Sequence, residues 1–187
     1  MNKKNIALMC SVFILLVGCG KKDSSSSTPG PSGIVADCVK LPCFYSVETE
    51  NGNLGGISGA DALCQTKHST AKAFLVDGVK RSADPQKDWV LDPNTSYYHV
   101  DGTLIGTTNE DGLFAFPLSE SLLKEEEWYW TGMLYTWESN TDNCLKWTST
   151  TPAESGSGGT GDVTSPGAIW VGKKACGVPN KLLCVAH

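Results

Sequence analysis

Histidine is scarce in this chain. His68, His99 and His187 are the only three, and none stands in a recognisable nucleophile–base pattern. A nucleophile elbow is missing too, because Gly56-Ile57-Ser58-Gly59-Ala60 ends in alanine where Gly-x-Ser-x-Gly needs glycine. Basic excess is absent: 15 Lys+Arg face 20 Asp+Glu, a net charge of −5, which argues against nucleic acid and against electrostatic docking on anionic lipid. Paired metal-ligand spacings are also missing. Only Cys38 and Cys43 lie close together, with no second Cys or His pair of the kind a zinc site uses. There is no internal repeat. These gaps lead to the expectation of a non-enzymatic protein without cofactor or metal.

What is present begins with a leader. Lys3 and Lys4 precede an apolar run from Ile6 to Val17, a positive n-region and an h-region too short to span a bilayer stably. The run ends Leu16-Val17-Gly18-Cys19, which resembles the lipobox of bacterial lipoproteins. The resemblance implies cleavage before Cys19, acylation of that cysteine (palmitate among the chains), and stable membrane anchoring. Losing Lys3 and Lys4 takes the net charge from −5 to −7. Gly20 to Gly33 has no apolar residue to bury and reads as a tether. The expected organisation is residues 1–18 leader, 19–33 lipidated cysteine and tether, and 34–187 one folded domain.

Six cysteines remain for that domain: Cys38, Cys43, Cys64, Cys144, Cys176 and Cys184. An even set in an exported chain predicts disulfides. A strand or hairpin is expected over Phe44–Val47. A helix is expected from Ser58, with Ser58 as N-cap and Asp61 completing a capping box. Short strands are predicted at 73–76, 88–91, 113–116, 144–147, 169–171 and 182–185, and a central aromatic one over Trp128–Trp137. Asp101-Gly102 is the strongest hairpin cue, and Ser119–Glu127 reads as a helical turn. Thr148–Gly167, rich in Ser, Thr, Gly and Pro, reads as a long loop. Gly156 to Gly161 matches Gly-x-Gly-x-x-Gly, but a dinucleotide site needs a strand before it and a helix after it. The sum is an α+β, loop-rich domain.

Gly59-Ala60-Asp61 leading to Cys64, then Ala73-Phe74-Leu75, Cys144 with Trp147, Cys176, and Leu183-Cys184 together resemble the endostatin domain, a variant of the C-type-lectin-like fold. Residues 34–187 are similar to a domain of unknown function in bacterial surface lipoproteins, particularly those of spirochaetes. Trp130-Thr131-Gly132-Met133 looks like the Trp-Ile-Gly-Leu segment of C-type-lectin-like domains. The resemblance implies an α+β, endostatin-like fold of short antiparallel strands with one or two helices. It also implies the pairs Cys64–Cys184 and Cys144–Cys176, leaving Cys38–Cys43.

The calcium signature of sugar-binding C-type lectins is missing: Val178-Pro179-Asn180 has valine in place of the first ligand. Asn109-Glu110-Asp111-Gly112 and Asp142-Asn143 read as turns. The expected function is a calcium-independent recognition or adhesion module on the cell envelope, with the outer membrane surface as its place. Its membrane contact runs through the lipid on Cys19, and its partner is a host matrix protein or glycan. The alternative is an envelope structural or assembly protein that binds another bacterial component. The ligand is sought on the loops between Asp77 and Pro117 or between Thr148 and Gly167.

Overall fold

The computed structural model describes residues 38–187. The leader, Cys19 and the 19–33 tether lie outside the described residues. Among the described residues eight strands form: β1 (Cys43–Thr49), β2 (Lys72–Ala73), β3 (Ser96–His99), β4 (Leu104–Thr107), β5 (Trp128–Trp130), β6 (Ser155–Thr160), β7 (Gly172–Ala175) and β8 (Asn180–Ala186). One ordinary helix, α1 (Gly56–Gln65), follows β1. The strands make one sheet in the order β4-β3-β1-β8-β5-β6-β7, with β2 on β8. Pairing is parallel at β1–β3 and β5–β8 and antiparallel elsewhere.

The α+β, C-type-lectin-like (endostatin-like) expectation is corrected by this architecture. The described residues are mostly β, their sheet curls into a half-barrel, and helix makes up only 11% of them. Ser119–Glu127, expected to be helical, contains only bends and irregular chain, held by backbone bonds to Ile105 and Gly161. The tract expected to be a loop contributes β6.

β1 and β8 are buried on both faces, and their alternate residues feed two cores. Phe44, Leu183 and Val185 enter one with Phe74, Tyr97, Phe114 and Trp137. Cys43, Tyr45, Leu182 and Cys184 enter the other with Trp130, Trp147, Cys64, Cys144 and Cys176. The disulfides are Cys38–Cys43, Cys64–Cys184 and Cys144–Cys176, the pairs named above.

β6 explains its own composition. A Cβ on Gly156 would lie 2.7 Å from the Trp130 ring, and one on Gly158 would lie 2.5 Å from Trp128 and 2.0 Å from the Tyr129 carbonyl oxygen. The indoles of β5 therefore occupy the space that side chains of β6 would need. The glycine tract is neither a dinucleotide loop nor a flexible one.

The start of α1 differs from the expected cap. Gly55 and Gly56 take positive φ (76° and 70°), and the helix begins at Gly56 with no side-chain cap. Ser58 thus sits inside the first turn, exposed, rather than before it. Asp61 forms no capping box, because Arg81 claims its carboxylate. Arg81, fully buried, donates from Nη1 and Nη2 to Asp61 at 2.9 and 2.8 Å. It also donates to Asp88 from Nη2 at 2.7 Å and from Nε, and to the Ala73 carbonyl at 2.9 Å. Every N–H of the guanidinium is used, as a buried charge requires. The cluster joins α1 to β2 and to the 77–88 loops.

Other strands are shorter than expected. Residues 88–91 and 169–171 form none, and Phe114 makes only an isolated bridge to Thr108. The aromatic run is a strand only to Trp130, because Gly132 takes positive φ against Val76 and Trp147. Asp101-Gly102 does turn between β3 and β4.

Candidate functional site

Cys144–Trp147, expected as a strand, is a left-handed helical turn. Its four residues have φ of 50°, 52°, 59° and 63°, a conformation costing L-residues roughly 1–2 kcal/mol each. The surroundings over-determine it. Cys144 is tied to Cys176. Trp147 is fully buried, with its indole N–H on the Val76 carbonyl at 2.8 Å. Asn143 Oδ1 accepts from the Lys146 amide at 2.9 Å, and the Trp147 amide donates to the Asn143 carbonyl at 2.7 Å. With both ends held, Leu145 (58% exposed) and Lys146 are pushed outward.

They stand at the mouth of an open cleft of about 660 Å³ lined by Asp77, Gly78, Ser139, Asn140, Thr141, Asn143, Leu145 and Lys146. The opposite wall is equally fixed. Asp77 Oδ1 accepts from the amides of Val79, Lys80 and Arg81 at 2.7–3.0 Å. Asn143 Nδ2 reaches the Asp77 carbonyl at 3.3 Å and so stitches the walls together. Ser139 Oγ is enclosed behind the lining and has no partner, and Lys146 makes no ion pair among the described residues. The lining offers hydroxyl, amide and ammonium donors on a pre-formed frame, the chemistry that suits a hydroxyl-rich or acidic ligand.

A second cleft, of about 260 Å³, is lined by Phe44, Tyr45, Ser46, His99, Val100, Asp101, Leu123, Lys124 and Glu125. Burial, then the nearby Lys124 charge, holds the His99 imidazole below its usual pKa. Its Nε2 is enclosed and has no partner. Asp101 pairs with Lys124 at 2.5 Å. His68 and His187 are elsewhere: Thr70 Oγ1 lies 3.0 Å from His68 Nδ1 and 2.7 Å from the His187 carbonyl. No group of three or more His, Cys, Asp or Glu side chains suited to a metal occurs among the described residues. Asn109 Oδ1 accepts from the amides of Asp111 and Leu113, which is turn chemistry. Asp142 takes Ser155 and Lys173.

The sequence brings Asp77 and Asn143 into view, but not as one site, and it misses Ser139, Leu145 and Lys146. Four ordinary residues carry no local signal for a left-handed turn. Of the two regions expected to hold the ligand, the first supplies Asp77 and Gly78; the second supplies none of the cleft.

Residues 47–164 match a family described as proteins of unknown function, DUF1554, and the chain belongs to that family. The matched span contains α1, the Arg81 cluster and the whole 77–146 cleft. No curated protein matches the chain.

Proposed function

We propose that this is an exported lipoprotein of the bacterial, spirochaete-type surface class, anchored through Cys19, whose 34–187 domain is a non-enzymatic recognition module binding a glycan in the Asp77–Lys146 cleft. The observation that carries the reading is the over-determined left-handed turn, which spends conformational energy to hold Leu145 and Lys146 at the cleft mouth. The binding is calcium-independent, since the only carboxylate in the lining, Asp77, already receives three amides on one oxygen. Lys146 favours acidic sugars or sulfated matrix glycans over neutral ones. The test is a glycan array with the lipid-free chain, followed by titration of Lys146→Ala and Ser139→Ala. Loss of about tenfold in affinity for either variant is expected, on the scale of one hydrogen bond to a charged or buried group. An array with no bound glycan sinks the reading.

A second reading, an envelope assembly protein, is favoured by one surface. Tyr135 and Trp170 meet at a tilt, 6.0 Å between ring centroids, beside exposed Val171, and the aromatics are residue types that anchor protein interfaces. Whole-cell proteolysis with in-cell cross-linking separates the readings: protease resistance and a bacterial cross-linked partner favour assembly.

A further inference from the structure

Four large apolar side chains stand exposed around the disulfide loop that opens the described chain: Val39 (70% exposed), Leu41, Val100 and Leu104. Backbone pairing gathers them. The Val39 amide donates to the Val100 carbonyl at 2.8 Å, and the Tyr98 amide to the Pro42 carbonyl at 3.1 Å. Leu104 sits opposite Tyr98 in the β3–β4 register. A Cβ on Gly102 would lie 3.2 Å from Val39 Cγ1, so the hairpin turn packs directly against that valine. Tyr97 and His99 are buried, so Tyr98 between them faces outward with Leu104.

Lys40 holds its ammonium 4.8 Å over the Tyr98 ring, and the only other charges at the patch, Asp101 of the turn and Lys124, neutralise each other in an ion pair. An apolar centre, a tyrosine with its polar tip, and a lysine whose stem lies along the ring form the side-chain pattern of a water–lipid boundary. β4 is also one of the two edges of the sheet.

We propose that this patch rests on the lipid bilayer and seats the domain on the membrane through Val39, Leu41, Val100 and Leu104. The inference rests on the reading that Cys19 is lipidated. The 20-residue stretch from Cys19 to Val39 spans at most about 70 Å. A weak apolar contact beside its end therefore acts at high effective concentration of bilayer, as the second element of a two-signal anchor. Once Lys3 and Lys4 are lost with the leader the net charge is −7, so charge attraction to anionic headgroups does not compete with this apolar contact. The sheet order puts β4 and β7 at opposite edges, so Trp170, next to β7, is not part of this patch.

The test uses the full chain, processed in a lipoprotein-competent bacterium and reconstituted in phosphatidylcholine vesicles with brominated acyl chains. A fluorescent amino acid replaces Leu104 in one preparation and Tyr135 in another. Quenching at 104 and none at 135 is expected. Val39→Ser combined with Leu41→Ser should abolish the quenching while circular dichroism and vesicle flotation stay unchanged. Flotation of the Cys19→Ser chain tests the anchor separately: if that variant still floats, the lipid reading fails. If the unaltered chain floats but 104 is quenched no more than 135, the patch proposal is overturned and the anchor stands. Protection of 104 by concentration-dependent self-association, without lipid, overturns it as well.

Discussion

The two faces of the sheet solve the same problem with different chemistry. One core is aromatic: Phe44 meets Phe74 at 5.3 Å and Tyr97 at 5.8 Å between ring centroids, and Phe74 meets Trp137 at 6.3 Å. It contains no cysteine. The other holds five of the disulfide cysteines, with Cys38 packed against it. That second core is also where glycine replaces side chains in β6 and where four residues turn left-handed. Cross-links thus accompany the face with less side chain to bury and more backbone strain, and the candidate cleft opens at that strained turn. Apolar area stabilises one face; restriction of the unfolded chain contributes strongly to the other.

The largest expected effect strikes the cross-linked side. Cys64→Ala with Cys184→Ala opens a loop with a sequence separation of 120, worth about 5 kcal/mol in the chain-entropy account. Urea unfolding measures it, and a loss below about 1 kcal/mol would break the comparison. Phe74→Ala in the aromatic core should cost about 4 kcal/mol, and a different amount once that disulfide is gone, because the Phe74 amide donates to the Leu183 carbonyl next to Cys184. Arg81→Met strands two carboxylates and should cost about 3 kcal/mol.

Acid sharpens the last case. Burial alone would raise the Asp88 carboxyl, but hydrogen bonds and charges from Lys72 and Arg81 outweigh it and hold the group below its ordinary pKa. A depressed carboxyl contributes its stability above the unfolded value of about 4 and loses it as pH falls through the folded one. Asp88→Asn should therefore flatten the acid limb of a stability–pH curve. The smallest effect has the opposite sign. Leu145→Gly should stabilise by about 1 kcal/mol, since glycine adopts φ of 52° freely and little packing is lost. Thermal unfolding checks it; destabilisation would mean that the turn carries no strain.

Some of this was legible in the residues. An even set of six cysteines points to disulfides, and Asp101-Gly102 marks its hairpin because the signal is local. Leu182–Val185 is apolar without alternation, as a strand buried on both faces must be. The resemblance supplied the cysteine pairs yet missed the architecture. β6 was unreadable because strand signals come from side chains, and its Gly156, Gly158 and Gly159 have none. The left-handed turn was unreadable because its causes, Cys176 and Val76, are far away in sequence. Ser58 misled as a cap because Gly55 and Gly56 start the helix by backbone geometry alone.

β6 also bears on the order of assembly. A glycine-rich segment has the most conformational freedom to lose on ordering and no apolar group with which to start a nucleus. Its slot exists only after the indoles of Trp128 and Trp130 have settled. β1, β8 and the aromatic face should therefore gather first, and Ser155–Thr160 should slide under the rings late. The same strand should be the first to open in the native protein, with β6 amides exchanging hydrogen ahead of those in β1 and β8.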